Sequence, residues 1–327
     1  MSRWYRYWTT PQPAPSATAG PAPSRWPARE TPRLPRGSGN GDDRSEAAAA
    51  PTFHVEQRLP DGKGPRPTHK ILAIANQKGG VGKTTTAVNL AGALADLGLR
   101  VLLVDLDPQA NATSGVGVRV AAGQVSVYDL LVSEEAAQKA IEATAVPNLF
   151  LLPATIDLAG AEIELVSAFN REQKLRRALE PLRGDFDLMI IDCPPSLGLL
   201  TVNALSAADG VIVPIQCEYY ALEGLHALQR NTDLIRVNLN PALQITGFVM
   251  TMMDGRTRLS QQVVDEVTGH FRELVFRTRI PRSVRLAEAP SYGQPISTFD
   301  PTCRAALGYR RLAGELLARV GMATASV

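Results

Sequence analysis

Cysteine is scarce. Cys193, Cys217 and Cys303 lie far apart with no C-x-x-C pair, which fits neither a disulfide framework nor a zinc or iron–sulfur site. Long apolar runs are missing too: nothing approaches the roughly 18–20 residues of a membrane span, and the arginines near the N-terminus have no apolar stretch behind them. A reducing, cytoplasmic setting is the expectation. Neither sign of charge dominates, with 34 basic against 32 acidic residues, a formal charge of +2 and a pI near 8.5. Composition therefore does not call for nucleic acid or an anionic membrane, and any such surface must be local. Lysine is the rarest charge: six, against 28 arginines, and none after Lys174. What the 327 residues do have is 45% apolar content, enough for one large α/β domain or two small ones with a real core.

The first 69 residues hold 12 of the 24 prolines, in stretches such as "PQPAPSATAGPAPS" that sustain neither a helix nor a sheet ladder. This segment, 1–69, reads as a disordered extension. It carries 10 Lys/Arg against 6 Asp/Glu and all three tryptophans, Trp4, Trp8 and Trp26. Its start, "RWYRYW", mixes arginine with aromatic rings that suit stacking and phosphate contact, and a tether to DNA or to a polar scaffold is one role for it. From residue 70 to 327 the pattern becomes that of a folded domain. "ILAIAN" (71–76), "VLLVD" (101–105), "LFLLP" (149–153), "DLMIID" (187–192), "GVIVPI" (210–215) and "ITGFVMTM" (245–252) read as strands. Helical spacing runs over 85–98, 171–182, 221–237, 259–271 and 304–320. Strands that do not alternate are buried on both faces, and with helices between them they predict a doubly wound, mostly parallel α/β sheet.

The sharpest motif is "KGGVGKTT" at 78–85. A strand, then Gly79, Gly80, Val81 and Gly82, then Lys83-Thr84-Thr85 opening a helix is the arrangement that cradles phosphates. The glycines let backbone N–H groups approach, and the helix N-terminus adds partial positive charge. In it Lys83 reaches the β- and γ-phosphates and the Thr84 hydroxyl ligates Mg²⁺. The usual P-loop spacing places a glycine where this chain has Gln77, so the plain motif fails and the two-lysine variant fits. Further on, "VLLVDLDPQAN" ends a buried strand with Asp105 and Asp107, and "MIIDCPPS" ends another with Asp192. In a parallel sheet these carboxyl ends open onto the crevice that holds the loop, which directs three carboxylates at a Mg-nucleotide.

Together "NQKGGVGKTTTAVNLA", "VLLVDLDPQANATSG", "LPATIDLAGAEIEL", "IIDCPPSLGLLTVNAL", "PIQCEYYALEGL" and "IPRSVRLAEAPSYGQPI" resemble the ParA/Soj chromosome-partitioning ATPases, of the deviant Walker A class that includes MinD. The resemblance runs over most of the chain after the tail. It implies a deviant P-loop NTPase that uses ATP and Mg²⁺ and closes into an ATP-sandwich homodimer. Lys78 is then the signature lysine that reaches the partner's phosphates, while Lys83 serves its own nucleotide. A cation that arrives late on developing charge acts as arginine fingers do. By the same resemblance Asp107 positions the attacking water, Asp192 holds Mg²⁺ through water, and Asp105 supports the metal shell. Pro281 and Arg282 pack near the adenine, and Gly79 lets two subunits meet.

Between 254 and 310 lie nine arginines against six acids. Of these, Arg256 in "MDGRTRL" and Arg285 in "PRSVRLAEAP" match family positions that bind double-stranded DNA without sequence preference. Phosphate contacts of that kind carry no sequence information and weaken with salt. A dimer doubles such a patch, so ATP would turn weak contact into useful affinity. The resemblance further implies a ParB-type centromere-binding partner that stimulates hydrolysis, and a nucleoid-associated location. Three other readings compete. A MinD-like membrane-cycling ATPase would need a basic, apolar C-terminal anchor, where this sequence reads "VGMATASV". A nitrogenase-iron-protein-like reductase would need cluster cysteines. A ParA-like ATPase that positions a protein cargo or a plasmid keeps the chemistry and changes only what is moved.

Overall fold

The computed structural model describes residues 69–218 and 221–322, so the extension expected over 1–69 lies, except for His69, outside the described residues, as does its aromatic start. Eight strands form one sheet: β1 (Lys70–Ile74), β2 (Val101–Asp105), β3 (Glu142–Ala143), β4 (Leu149–Leu152), β5 (Leu188–Asp192), β6 (Gly210–Gln216), β7 (Gln244–Met253) and β8 (Val275–Pro281). Their order is β3-β4-β2-β5-β1-β6-β7-β8, and every pairing is parallel except that of β3 with β4. The helices are α1 (Lys83–Asp96), α2 (Asn111–Gly115), α3 (Val127–Val132), α4 (Leu158–Glu164), α5 (Lys174–Leu179), α6 (Leu199–Ala207), α7 (Ala221–Asn238), α8 (Arg258–Phe271), α9 (Val284–Glu288), α10 (Ile296–Phe299) and α11 (Arg304–Arg319).

Alternate residues of the central strands feed two separate cores, as the two-residue repeat of a strand requires. Leu72, Ile74, Leu103 and Ile190 face α1 and α11, where they join Leu90, Leu94, Tyr309 and Leu312. Ile71, Ala73, Val104 and Ile191 face the opposite layer and join Leu130, Leu175, Leu200 and Val264. Helices on both faces explain why β2 and β5 are buried at every position. The expectation of a doubly wound, mostly parallel sheet is met. Helix α1 is built largely of small residues because it is covered from both sides; a Cβ on Gly92 would come within 2.8 Å of Pro295 Cβ.

Two local readings change. The helix expected over 171–182 is one α-turn and a half, α5, between two 3-10 turns, because Asn170 enters with φ 51° and Pro181 cannot donate to the helical ladder. No expected strand covers β8. It lies at the sheet edge with Arg277 and Arg279 exposed, so it lacks the apolar run that marked the inner strands. The backbone N–H groups of Arg277 and Thr278 donate to the two oxygens of Glu315, at 2.8 and 3.0 Å, which blunts the edge.

Candidate active site

The carboxyl ends of β1, β2 and β5 are level: Ile74 and Asp105 both pair in register with Asp192. The glycine loop leaves β1 at this level and enters α1. Gly80 (φ 73°) and Gly82 (φ 86°) hold left-handed backbone that costs a side-chain-bearing residue strain, and Gly82 caps α1, its carbonyl accepting from Thr86 N–H at 2.9 Å. Neighbouring strands fasten the loop. Asn76 Nδ2 donates to the Pro214 carbonyl on β6 at 2.8 Å while its Oδ1 accepts from Lys78 N–H at 3.0 Å. The Thr251 hydroxyl on β7 donates to the Val81 carbonyl at 2.8 Å. Gly79 is not among the left-handed glycines, and a Cβ there, as at Gly80, would meet nothing within 4 Å inside one chain.

Charge is packed tightly below this loop. Lys83 is only 7% exposed, and its ammonium donates to the Lys78 carbonyl at 3.2 Å. Burial holds it below the ordinary lysine range, against the pull of Asp192, Cys193 and Asp107. Asp192 is 0% exposed, and neither of its oxygens meets a hydrogen-bond partner in normal geometry among the described residues. Burial, and after it the like charge of Asp105, raises its pKa well above the carboxylate range; the nearby Thr84 hydroxyl eases this without curing it. Asp105 is pushed up to about 6, chiefly by burial. Its oxygens are already engaged, Oδ2 by Thr113 N–H and hydroxyl, both at 2.7 Å, and Oδ1 by Asp107 N–H at 3.2 Å. Asp105 therefore shapes the loop from 105 to 113, whereas Asp192 stands open. Asp107 Oδ1 accepts from Gln109 N–H at 2.9 Å.

A divalent cation suits this donor set. A buried carboxylate with open oxygens beside a threonine hydroxyl is what Mg²⁺ takes from protein when phosphates supply its other ligands. Among the described residues no group of three His, Cys, Asp or Glu side chains is arranged to hold a metal by itself. Cys193 and Cys217 are buried, and burial pushes both thiols up, Cys217 to about 11, away from the reactive thiolate form.

Beside the start of α1 lies an apolar pocket of about 240 Å³, lined by Gly82, Thr85, Met252, Pro281, Arg282 and Tyr309 among others. Pro281 and Arg282 thus come to the phosphate loop from a point some two hundred residues away, and Arg282 N–H is fixed by the Met253 carbonyl at 3.2 Å. The two remaining expected residues lie at the surface, already paired. Arg256, with 89% of its side chain exposed, bonds Asp254 through Nε and one terminal nitrogen, each at 3.0 Å, which holds the Asp254 pKa down at about 2. Arg285 pairs with Asp300 at 3.0 Å and Glu288 at 3.1 Å and lies over the Phe299 ring.

Asn76 and Thr251, which carry no motif role, fasten the loop, and Glu218, likewise without one, meets the Lys78 ammonium at 3.5 Å. Asn76 stood inside a quoted motif and Glu218 inside another, but only the neighbouring of β1 with β6 and of β6 with β7 reveals what they touch.

A level row of parallel strand ends, a glycine loop capping α1, a buried lysine and an open acidic strand end define a P-loop nucleotide-hydrolase site. A family model described as an AAA domain matches residues 69–245. The chain is 57% identical over 249 residues to the sporulation initiation inhibitor protein Soj of Bacillus subtilis, covering 76% of this chain and 98% of that one. It is 55% identical to the chromosome-partitioning ATPase Soj of Thermus thermophilus, covering 76% and 96%. Among solved structures, a Mycobacterium smegmatis protein described as cobyrinic acid a,c-diamide synthase, with bound ADP and magnesium, superposes with a TM-score of 0.69 at 40% identity over 80% of this chain and all of that one. The chain belongs to the Soj/ParA family of chromosome-partitioning ATPases.

Proposed function

We propose that this protein is an ATP-driven switch for DNA segregation: ATP closes two copies into a sandwich that binds duplex DNA, and hydrolysis releases it. The observation that carries the reading is the buried, unpartnered Asp192 carboxylate beside Lys83 at the mouth of the glycine loop. Loop N–H groups and the α1 N-terminus bind the phosphates, Lys83 neutralises them in cis, and the pocket at Pro281 and Arg282 takes the base. Thr84 and Asp192 would hold Mg²⁺, which would supply positive charge to the bound phosphates, and Asp105 fixes the loop that carries Asp107. Asp107 orients the attacking water. Lys78 completes the site of the partner copy, and the open space at Gly79 is where the two loops would meet.

Arg256 and Arg285 contact DNA phosphates, and a ParB-type partner at a centromere-like site stimulates turnover. The nucleoid is the expected location, residues 70–327 forming the ATPase and 1–69 an appended tail. Among the described residues no helix is long and apolar enough to cross a membrane. The test is binding of the purified protein to non-specific duplex DNA with ATP, ADP or no nucleotide at two salt concentrations. Binding that needs ATP, weakens with salt and is lost in Arg256→Ala and Arg285→Ala is expected. Binding indifferent to nucleotide would overturn the switch.

A further inference from the structure

Both lysines of the loop are engaged within the chain. Lys83 Nζ donates to the Lys78 carbonyl at 3.2 Å, and Lys78 Nζ meets Glu218 Oε2 at 3.5 Å. Glu218 is held in place for this. Because β6 lies beside β1, the turn that leaves β6 runs next to the glycine loop, and Asn76 ties the two together through the Pro214 carbonyl. Within that turn Cys217 N–H donates to the Thr251 carbonyl at 3.3 Å and Glu218 N–H to the Gln216 carbonyl at 2.8 Å. Gln216 Nε2 donates to Glu218 Oε1 at 2.6 Å. One carboxylate oxygen is thereby fixed and the other left for Lys78.

We infer that Glu218 is a positioning residue that tethers Lys78 inside its own chain, and that ATP-dependent dimerisation exchanges this carboxylate for the partner's phosphates. The inference rests on the proposed action of Lys78 in trans. A lysine is a point charge on a flexible four-carbon stem, and a nearby carboxylate both orders it and holds it back. The pair is open to water, 37% and 54% exposed, so its strength belongs with surface ion pairs, about two- to fivefold in an equilibrium per protomer. Two protomers must each let go, which makes roughly four- to 25-fold in the dimer dissociation constant. A tether of that size yields to ATP yet keeps the ammonium near its working position beforehand.

The test is the dimer dissociation constant of the full chain with Mg-ATP, by sedimentation velocity, for wild type, Glu218→Gln, Lys78→Ala and the double variant at 50 and 500 mM NaCl. Glu218→Gln is expected to dimerise about four- to 25-fold more tightly at low salt, with the gap shrinking at high salt as the pair is screened. The Lys78→Ala protein and the double variant should both stay monomeric. Equal constants for wild type and Glu218→Gln, with Lys78→Ala monomeric, would overturn the tether and leave the trans lysine standing. Dimers restored by Glu218→Gln in the Lys78→Ala background would mean plain repulsion at the mouth and would also overturn it. Wild type that stays monomeric with ATP, or Lys78→Ala that dimerises like wild type, would overturn the underlying reading and the tether with it.

Discussion

Replacing Asp192 by asparagine should stabilise the nucleotide-free protein while destroying its response to Mg-nucleotide. Asp192 is wholly buried, stands in register with Asp105, and has no hydrogen-bond partner in normal geometry among the described residues, the nearby Thr84 hydroxyl only easing its charge. Its folded-state pKa is raised by burial and by Asp105, and that of Asp105 is raised to about 6. A carboxyl whose folded pKa lies above its unfolded one contributes stability below the unfolded value, and that contribution is lost as pH rises through the folded value. The native state thus carries this penalty at neutral pH, and falling pH relieves it. An isosteric amide removes the charge without opening a cavity, so the gain at pH 7.5 should be about 1–3 kcal/mol, the scale of the penalty for an unsatisfied buried polar group, with the lost attraction to Lys83 set against it. At about 2–4 °C per kcal/mol for a chain of this size, Tm should rise by roughly 2–12 °C. Scanning calorimetry at pH 7.5 and 4.5 checks this, with the difference expected to shrink at the lower pH. Adding Mg-ADP at about a hundred times its Kd should raise wild type by about 2.7 kcal/mol and the variant by far less. A nucleotide-free Asp192→Asn protein that melts at or below wild type at pH 7.5, or that keeps the full Mg-ADP shift, would refute the reasoning.

Four further outcomes follow from the same geometry. Lys83→Ala should abolish ATP binding in a filter or fluorescence assay, and Asp107→Ala should hold an ATP dimer that turns over slowly; normal turnover by the Asp107 variant would remove its assigned role. Gly293→Ala should cost about 2–4 kcal/mol in denaturant unfolding, since the new Cβ would lie 2.5 Å from Gly117 Cα at a residue with φ 64°. A loss under 0.5 kcal/mol would show that this loop crossing gives way easily. Asp254→Asn should free Arg256 and tighten DNA binding by about two- to fivefold at low salt, because the carboxylate that now neutralises the guanidinium is gone. Unchanged affinity would mean that Arg256 meets no phosphate.

The parts of this molecule legible in the sequence are those where one local rule suffices. Inner strands read as unbroken apolar runs because both faces are buried, and the phosphate loop reads as glycines before Lys83 because backbone must approach phosphate and turn at positive φ at Gly80 and Gly82. Three strand-end carboxylates in order also read correctly as neighbours, but their division of labour did not. Asp105 and Asp192 look alike in sequence, yet Thr113, eight residues on, reaches back to occupy Asp105, while the open carboxylate is Asp192. Likewise β8 was missed because an edge strand with Arg277 and Arg279 outward lacks the apolar run, and Glu315, which covers it, comes from a helix 37 or 38 residues later. Arg256 and Arg285 were legible as charges but not as charges already answered by Asp254, Asp300 and Glu288. In each case the missing step is a contact between elements, and it decides which of two chemically identical side chains is free to meet a ligand. The two loop lysines are the clearest instance: their spacing marks them as a pair, but only the side-by-side placement of β1 and β6 gives Lys78 a partner to leave.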